Sequence, residues 1–182
     1  MDTGFLGKNI LYDGSQLRHA FAYETVGFLG DSLVTFEGPA FVKDHLVDIE
    51  DRKANDFIAS ENMLHFIVEI YNTTITETVL WQLKLVEITA NVLSSNGVAI
   101  VVDGDDIMVN DHKLSVSIAT LSRFSGLIHL GLNIVVGSDC PVKAIGLSEL
   151  NIDLPKFENE VTYKFMLAFK AIKRASYKVK EV

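Results

Sequence analysis

Between Thr74 and Gly97 the sequence marks both ends of one helix and lays two adjacent apolar stripes along it. Thr74-Ile-Thr-Glu77 has the form of a capping box, in which hydroxyl and carboxylate each hold the other residue's backbone N–H. Asn96-Gly97 supplies the stop. Val79, Leu83, Val86, Ala90 and Leu93 make one stripe, and Trp81, Leu85, Ile88 and Val92 make a second beside it. Lys84, Glu87, Asn91, Ser94 and Ser95 are left for water. A face this wide packs on a sheet.

The rest of the chain supplies that sheet. Asp31 to Val42 reads as a strand interrupted by Gly38-Pro39, the mark of an edge or a bulge. Met63 to Tyr71 is a second strand. Ser15 to about Glu24 reads as a short helix with Ser15 as its cap. A long helix is predicted from about Pro155 to Ser176, with Phe157, Val161, Phe165, Ala168, Phe169 and Ile172 on one side. Pro155 suits its start, where the missing N–H has no partner to lose. With no linker and no internal repeat, residues 1–182 form a single domain. The expected class is α+β: a mixed, mainly antiparallel sheet packed against two long helices.

Charge narrows the function classes. Sixteen Lys and Arg against 24 Asp and Glu leave a net charge of −8. That argues against nucleic-acid and anionic-membrane partners, whose affinity rests on basic residues. The basic run from Lys170 to Lys180 reads as the end of a helix, where cations complement the dipole. One cysteine, Cys140, excludes an intrachain disulfide and a Cys-rich zinc site. No basic-then-apolar leader and no membrane-length apolar run are seen, so a cytoplasmic protein is expected.

Between the two long helices lies an antiparallel meander. Asn110-Asp111 suits a two-residue hairpin turn, since both tolerate positive φ. Residue 109 then faces 112, 108 faces 113 and 106 faces 115. If the next turn is centred on Phe124, Ser115 falls opposite Asn133 and Ser117 opposite Gly131. One face then collects Ile107, Val109, Leu114, Val116, Ile118, Leu130, Leu132 and Ile134. The other collects Asp106, Met108, Lys113, Ser115, Ser117, His129, Gly131 and Asn133. Small residues at 115, 117 and 131 leave room for a ligand, and Lys113, Asp106, His129 and Asn133 surround that space with polar groups.

The stretch Gly104-Asp-Asp-Ile-Met-Val-Asn-Asp-His-Lys-Leu-Ser115, followed by Gly131-Leu-Asn-Ile134, resembles the central signature of biotin-protein and lipoate-protein ligases. Those enzymes carry a Pro-Asn-Asp, a hairpin ending in Lys-(Leu/Ile)-(Ala/Ser), and later a Gly-Ile-Asn. The strand at 63–71 and the helix at 77–95 precede the signature; Leu147–Asp153 and the final helix follow it. Taken whole, the chain looks most like the mainly archaeal domain-of-unknown-function 366 family, which resembles those ligases in fold. The resemblance implies a class II synthetase-like scaffold.

It also implies roles. Lys113 matches the lysine that contacts the acid's carboxylate and the α-phosphate, so it is the catalytic candidate. Asp106 matches the aspartate near the nucleotide, and Asp105 stands where the ligases have Asn. Asn133 matches the asparagine of Gly-Ile-Asn, and Gly131 lets its strand approach a ligand closely. The activity implied is ATP-dependent acyl-adenylate formation on a small carboxylic acid, with Mg. The ligases' Gly- and Arg-rich loop is replaced here by Asp48-Ile-Glu-Asp-Arg-Lys53. Its acids repel ATP unless Arg52 and Lys53 turn inward, so Arg52 joins the binding candidates. The alternative on the same scaffold is a non-catalytic small-ligand-binding or assembly protein. A homodimer or higher homo-oligomer is expected, since edge strands of such scaffolds pair across two-folds.

Gly30-Asp-Ser-Leu33 spells the nucleophile block of GDSL-type hydrolases. A strand follows it rather than a helix, and no His has Asp three positions before it, so Ser32 reads as the start of a strand. The five histidines show no His-x-His or His-x-x-x-His spacing, so no metal site is expected. His65, in an apolar strand, reads as a hydrogen-bonded core residue.

Overall fold

The computed structural model describes residues 1–54, 56–138 and 140–180; the side chain of Asp51, one of the expected loop acids, lies outside that description. In chain order the elements are β1 (Asp2–Phe5), α1 (Phe21–Val26), β2 (Ser32–Val42), α2 (Ile49–Ala54), β3 (Ile58–Tyr71), α3 (Ile75–Ser95) and β4 (Val101–Asp103). There follow β5 (Asp106–Val109), β6 (His112–Lys113), β7 (Ser115–Leu121), β8 (Ser125–Val135), a 3-10 turn at Leu147–Leu150, and α4 (Leu154–Tyr177). Five strands form one sheet in the order β1-β2-β3-β8-β7, and β4-β5-β6 form a small second one. β1 runs parallel to β2, and the other strand pairings are antiparallel. The class is therefore α+β, as the sequence implies. Among the described residues no helix is long and apolar enough to cross a membrane.

The capping box forms: Thr74 Oγ1 accepts from the Glu77 N–H at 3.2 Å, and the Glu77 carboxylate accepts from the Thr74 N–H at 2.7 Å. At α4, Asp153 caps by accepting the Lys156 N–H at 3.2 Å, with Pro155 in the first turn. The two helices bury Leu85, Val92, Leu93, Val161 and Phe165 against Leu64, Phe66, Leu130 and Leu132 of the sheet. Non-polar burial of this kind contributes about 25 cal/mol per Å².

The opposite face of the sheet is covered as well. Tyr12, Ala22 and Leu46 pack there with Val34, Phe36, Met63 and Ile67. Gly38 marks the closest approach, because a Cβ on it would lie 1.9 Å from the Ile10 carbonyl oxygen. The β2–β3 register shifts between Gly38 and Ala40. Gly38-Pro39 is thus a bulge, and it sits in an interior strand rather than at an edge.

Two expectations need correction. The first concerns the short helix, which begins at Phe21; Ser15 does not cap it. Ser15 instead gives its N–H to Asp13 Oδ1 at 2.9 Å in a turn. The cap comes from elsewhere in the chain, since both Glu69 oxygens lie 3.1 Å from the Ala20 N–H. A distant partner has overridden the local signal.

The second is the β7–β8 register. The first hairpin is as derived, with Asn110 and Asp111 at φ 48° and 61° and Met108 opposite Lys113. Across the next turn, however, Ser115 faces Leu132 and Ser117 faces Leu130, while Val116 faces Gly131 and Ile118 faces His129. The reason lies in the turn. Ser122 Oγ accepts the N–H groups of Phe124 and Ser125, and the Ser122 N–H bonds the Ser125 carbonyl. That centres the turn on the Arg123–Phe124 bond instead of on Phe124. The single-residue slip moves Ser115 and Ser117 to the helix side and Val116 and Ile118 to the other.

Candidate functional site

On the sheet face away from α3 and α4 lies a cavity of about 190 Å³. The buried residues Tyr12, Met63 and His129 form its inner end, with Val116 and Ile118 of β7 beside them. Lys113 and Asn133 border it, and the β2–β3 connection closes it with Leu46, Asp48, Asp56 and Phe57. Cys140 to Val142 complete the outer part. Strand register does the positioning: β3 sets Ile67 opposite His129 and Met63 opposite Asn133.

At the inner end two histidines form one unit. His65 Nδ1 and His129 Nε2 are 3.1 Å apart, and His65 Nε2 is 3.2 Å from the Gly38 carbonyl oxygen. Tyr12 stacks on His129 with ring centroids 3.9 Å apart, and Phe36 stacks on His65 at 4.7 Å. Burial pushes His65 from the ordinary 6.5 down to about 4, against the raising effect of the Gly38 carbonyl. Burial, with His65 as neighbour, holds His129 well below 6.5. Burial holds the Tyr12 phenol protonated, its pKa raised further by nearby Asp13.

Lys113 is held by its neighbours. Its backbone pairs with residues 143–145, giving its N–H to the Lys143 carbonyl at 2.9 Å and accepting the Ile145 N–H at 3.1 Å. Its Nζ lies 2.7 Å from Asp106 Oδ2, with 30% of each side chain exposed. Asn133 Nδ2 reaches the Lys113 carbonyl at 3.4 Å.

The remaining candidates divide. Ser115 and Ser117 border the cavity, but their hydroxyls are engaged: Ser115 Oγ accepts the Ile107 N–H at 2.8 Å, and Ser117 Oγ donates to Asp105 Oδ2 at 2.9 Å. Gln82 of α3 donates to both Ser117 Oγ and Asp105 Oδ2 at 2.7 Å. Asp105 therefore ties the small sheet to α3. Gly131 lies under the lining, where a Cβ would come within 2.8 Å of Met63 Cε and 3.1 Å of His129 Cε1. Arg52 is exposed on α2 and does not line the cavity. Ser32 is buried at the start of β2, as expected of a strand residue.

Sequence reasoning missed Tyr12, Met63, Val116 and Ile118. Tyr12 carries no motif and reaches the site through one parallel bridge to Ala40. The register read from the sequence, one residue out of step, places Val116 and Ile118 on the helix side. His65 is the hydrogen-bonded core residue that its apolar strand implies, and its pairing with His129 follows from the β3–β8 register.

A nucleotide triphosphate suits this lining poorly. Among the described lining residues Lys113 is the lone lysine or arginine, and it is ion-paired. Asp48 and Asp56 border the same space.

A family model described as "Domain of unknown function (DUF366)" matches residues 1–180. The chain belongs to that family. Its relatives include uncharacterized protein MJ0805 of Methanocaldococcus jannaschii, 32% identical over 96% of this chain and 82% of that one. A solved protein of unknown function from Pyrococcus horikoshi is 38% identical, covers 99% of both chains and has a TM-score of 0.93. More distant likenesses concern fold alone. The biotin protein ligase of Aquifex aeolicus is 13% identical, over 94% of this DUF366 chain and 71% of its own, with a TM-score of 0.63. P. falciparum LipL1, solved in complex with lipoate, is 15% identical over 95% and 63%, with a TM-score of 0.59.

Proposed function

We propose that this DUF366 protein binds a small, largely apolar carboxylic acid in the cavity over β3, β8 and β7. The observation that carries the reading is a mostly apolar cavity with one ammonium among its described lining residues, that of Lys113, at its border. An acyl body buried against Met63, Val116 and Ile118 gains the transfer free energy of its carbons, and its carboxylate meets Lys113. The lipoate complex of a fold neighbour supports acids of this class as ligands. The Lys113–Asp106 pair and the bordering carboxylates favour binding without ATP-dependent chemistry. The ligase-like fold together with Lys113 favours a second reading, acyl-adenylate formation.

A thermal-shift series with biotin, lipoate and octanoate, each with and without ATP and Mg, tests the first reading. Stabilisation by at least one acid alone is expected; no shift with any of them overturns it. Acid-stimulated ATP–pyrophosphate exchange would establish the second. The edge strands β1 and β7 make a homodimer part of the proposal, to be checked by light scattering.

A further inference from the structure

We infer that the inner end of the cavity selects a ligand that presents a neutral N–H or O–H donor there, such as a cyclic urea, amide or alcohol. This deepens the carboxylic-acid reading and takes the site from it.

The hydrogens on the two buried imidazoles can be assigned one by one. A carbonyl oxygen can only accept, so the Gly38 contact at 3.2 Å places a hydrogen on His65 Nε2. Both rings are neutral near pH 7, because burial disfavours their charged forms. A neutral imidazole has one N–H, so His65 Nδ1 is an acceptor. The 3.1 Å contact to His129 then requires His129 Nε2 to be the donor. The single hydrogen of His129 is thereby assigned, and its Nδ1 carries a lone pair.

That Nδ1 has no partner among the described residues. Yet no buried side-chain nitrogen or oxygen there lacks a hydrogen bond. Nδ1 therefore opens on space, and the space His129 lines is the cavity. His129 is only 2% exposed, so bulk water is otherwise kept from it. Tyr12, stacked on the ring, keeps its phenol protonated, and among the described residues its hydroxyl likewise has no hydrogen-bond partner. The inner end thus offers an acceptor from His129 and a hydroxyl from Tyr12, set among Met63, Val116 and Ile118.

A bare hydrocarbon tail or a dithiolane placed there buries the Nδ1 lone pair without compensation, and an anion meets a second lone pair. A donor satisfies it. The gain from one such hydrogen bond corresponds to about tenfold in affinity.

The test uses the wild-type full-length protein, labelled with ¹⁵N at histidine, so that it does not depend on a variant folding. Long-range ¹H–¹⁵N spectra at pH 7 are expected to show both buried rings as Nε2–H tautomers. Titration with 2-imidazolidinone, a cyclic urea lacking a carboxylate, is expected to move the His129 Nδ1 resonance; cyclopentanone, its counterpart without N–H, is not. Among acids, dethiobiotin is expected to bind about tenfold more tightly than octanoate. A protonated Nδ1 on His129, equal responses to the two fragments, or no response to either overturns the inference. Octanoate binding as tightly as dethiobiotin overturns it too, while leaving the acid-binding reading standing. Fragments that respond as expected with no acid binding would overturn that reading and leave the donor selectivity intact.

Discussion

Lys113 meets Asp106 before it meets any ligand, and that pairing decides how the residue behaves. A partly exposed pair, screened by solvent, contributes little to stability, at most about 1 kcal/mol, so Lys113→Ala is expected to melt close to the wild type. Its effect falls on binding. Calorimetry with whichever acid binds is expected to show a loss of about tenfold or more, the worth of one charge-assisted hydrogen bond. Asp106→Asn is expected to act in the opposite direction, raising acid affinity by removing the competing carboxylate. Tighter binding after Lys113→Ala, or weaker after Asp106→Asn, would place the acid elsewhere. Gly38 answers to different physics. A methyl group added 1.9 Å from the Ile10 carbonyl must push backbone aside, so Gly38→Ala is expected to cost about 3 kcal/mol in chemical denaturation.

Among the elements, the two long helices and the first hairpin were legible, and the β7–β8 register was not. Thr74, Glu77, Asn96 and Pro155 act within one helical turn, so their signals survive folding unchanged. The β7–β8 register depends on Ser122 Oγ taking two backbone N–H groups, a choice that alternation of side chains cannot reveal. The cavity face inherits the error: the register read from the sequence puts Ser115 and Ser117 on it, while His129, Gly131 and Asn133 share one face of β8 in either register. The start of α1 fails similarly, because its cap is Glu69, remote in sequence. Ser117→Ala provides the check. With its hydroxyl bonded to Asp105 and Gln82, the substitution is expected to cost about 1 kcal/mol in stability and leave acid affinity unchanged. A large loss of affinity with unchanged stability would return Ser117 to the ligand face.

For the whole molecule, the buried histidine pair ties stability to acidity. The unfolded chain takes up protons on these rings near 6.5, whereas folded His65 does so only at about 4 and His129 also well below 6.5. The unfolded state therefore binds more protons through that window, and this contribution makes the protein less stable as pH falls from about 6.5 towards 4. Urea midpoints measured across that range are expected to drop, and His65→Gln is expected to flatten the dependence. An unchanged slope in that variant would remove His65 as its source.

The strand order carries a kinetic consequence. β3 and β8 pair side by side from Tyr71–Ser125 to Asn62–Val135, yet α3 and the whole small sheet are made between them. The central pairing of the sheet must close over that entire excursion before the cavity exists, which places this chain among slow, topologically non-local folders. The hairpins of β4, β5 and β6 can organise locally before β3 meets β8. The cavity, lined from both β3 and β8, then forms only once that long-range pairing is in place.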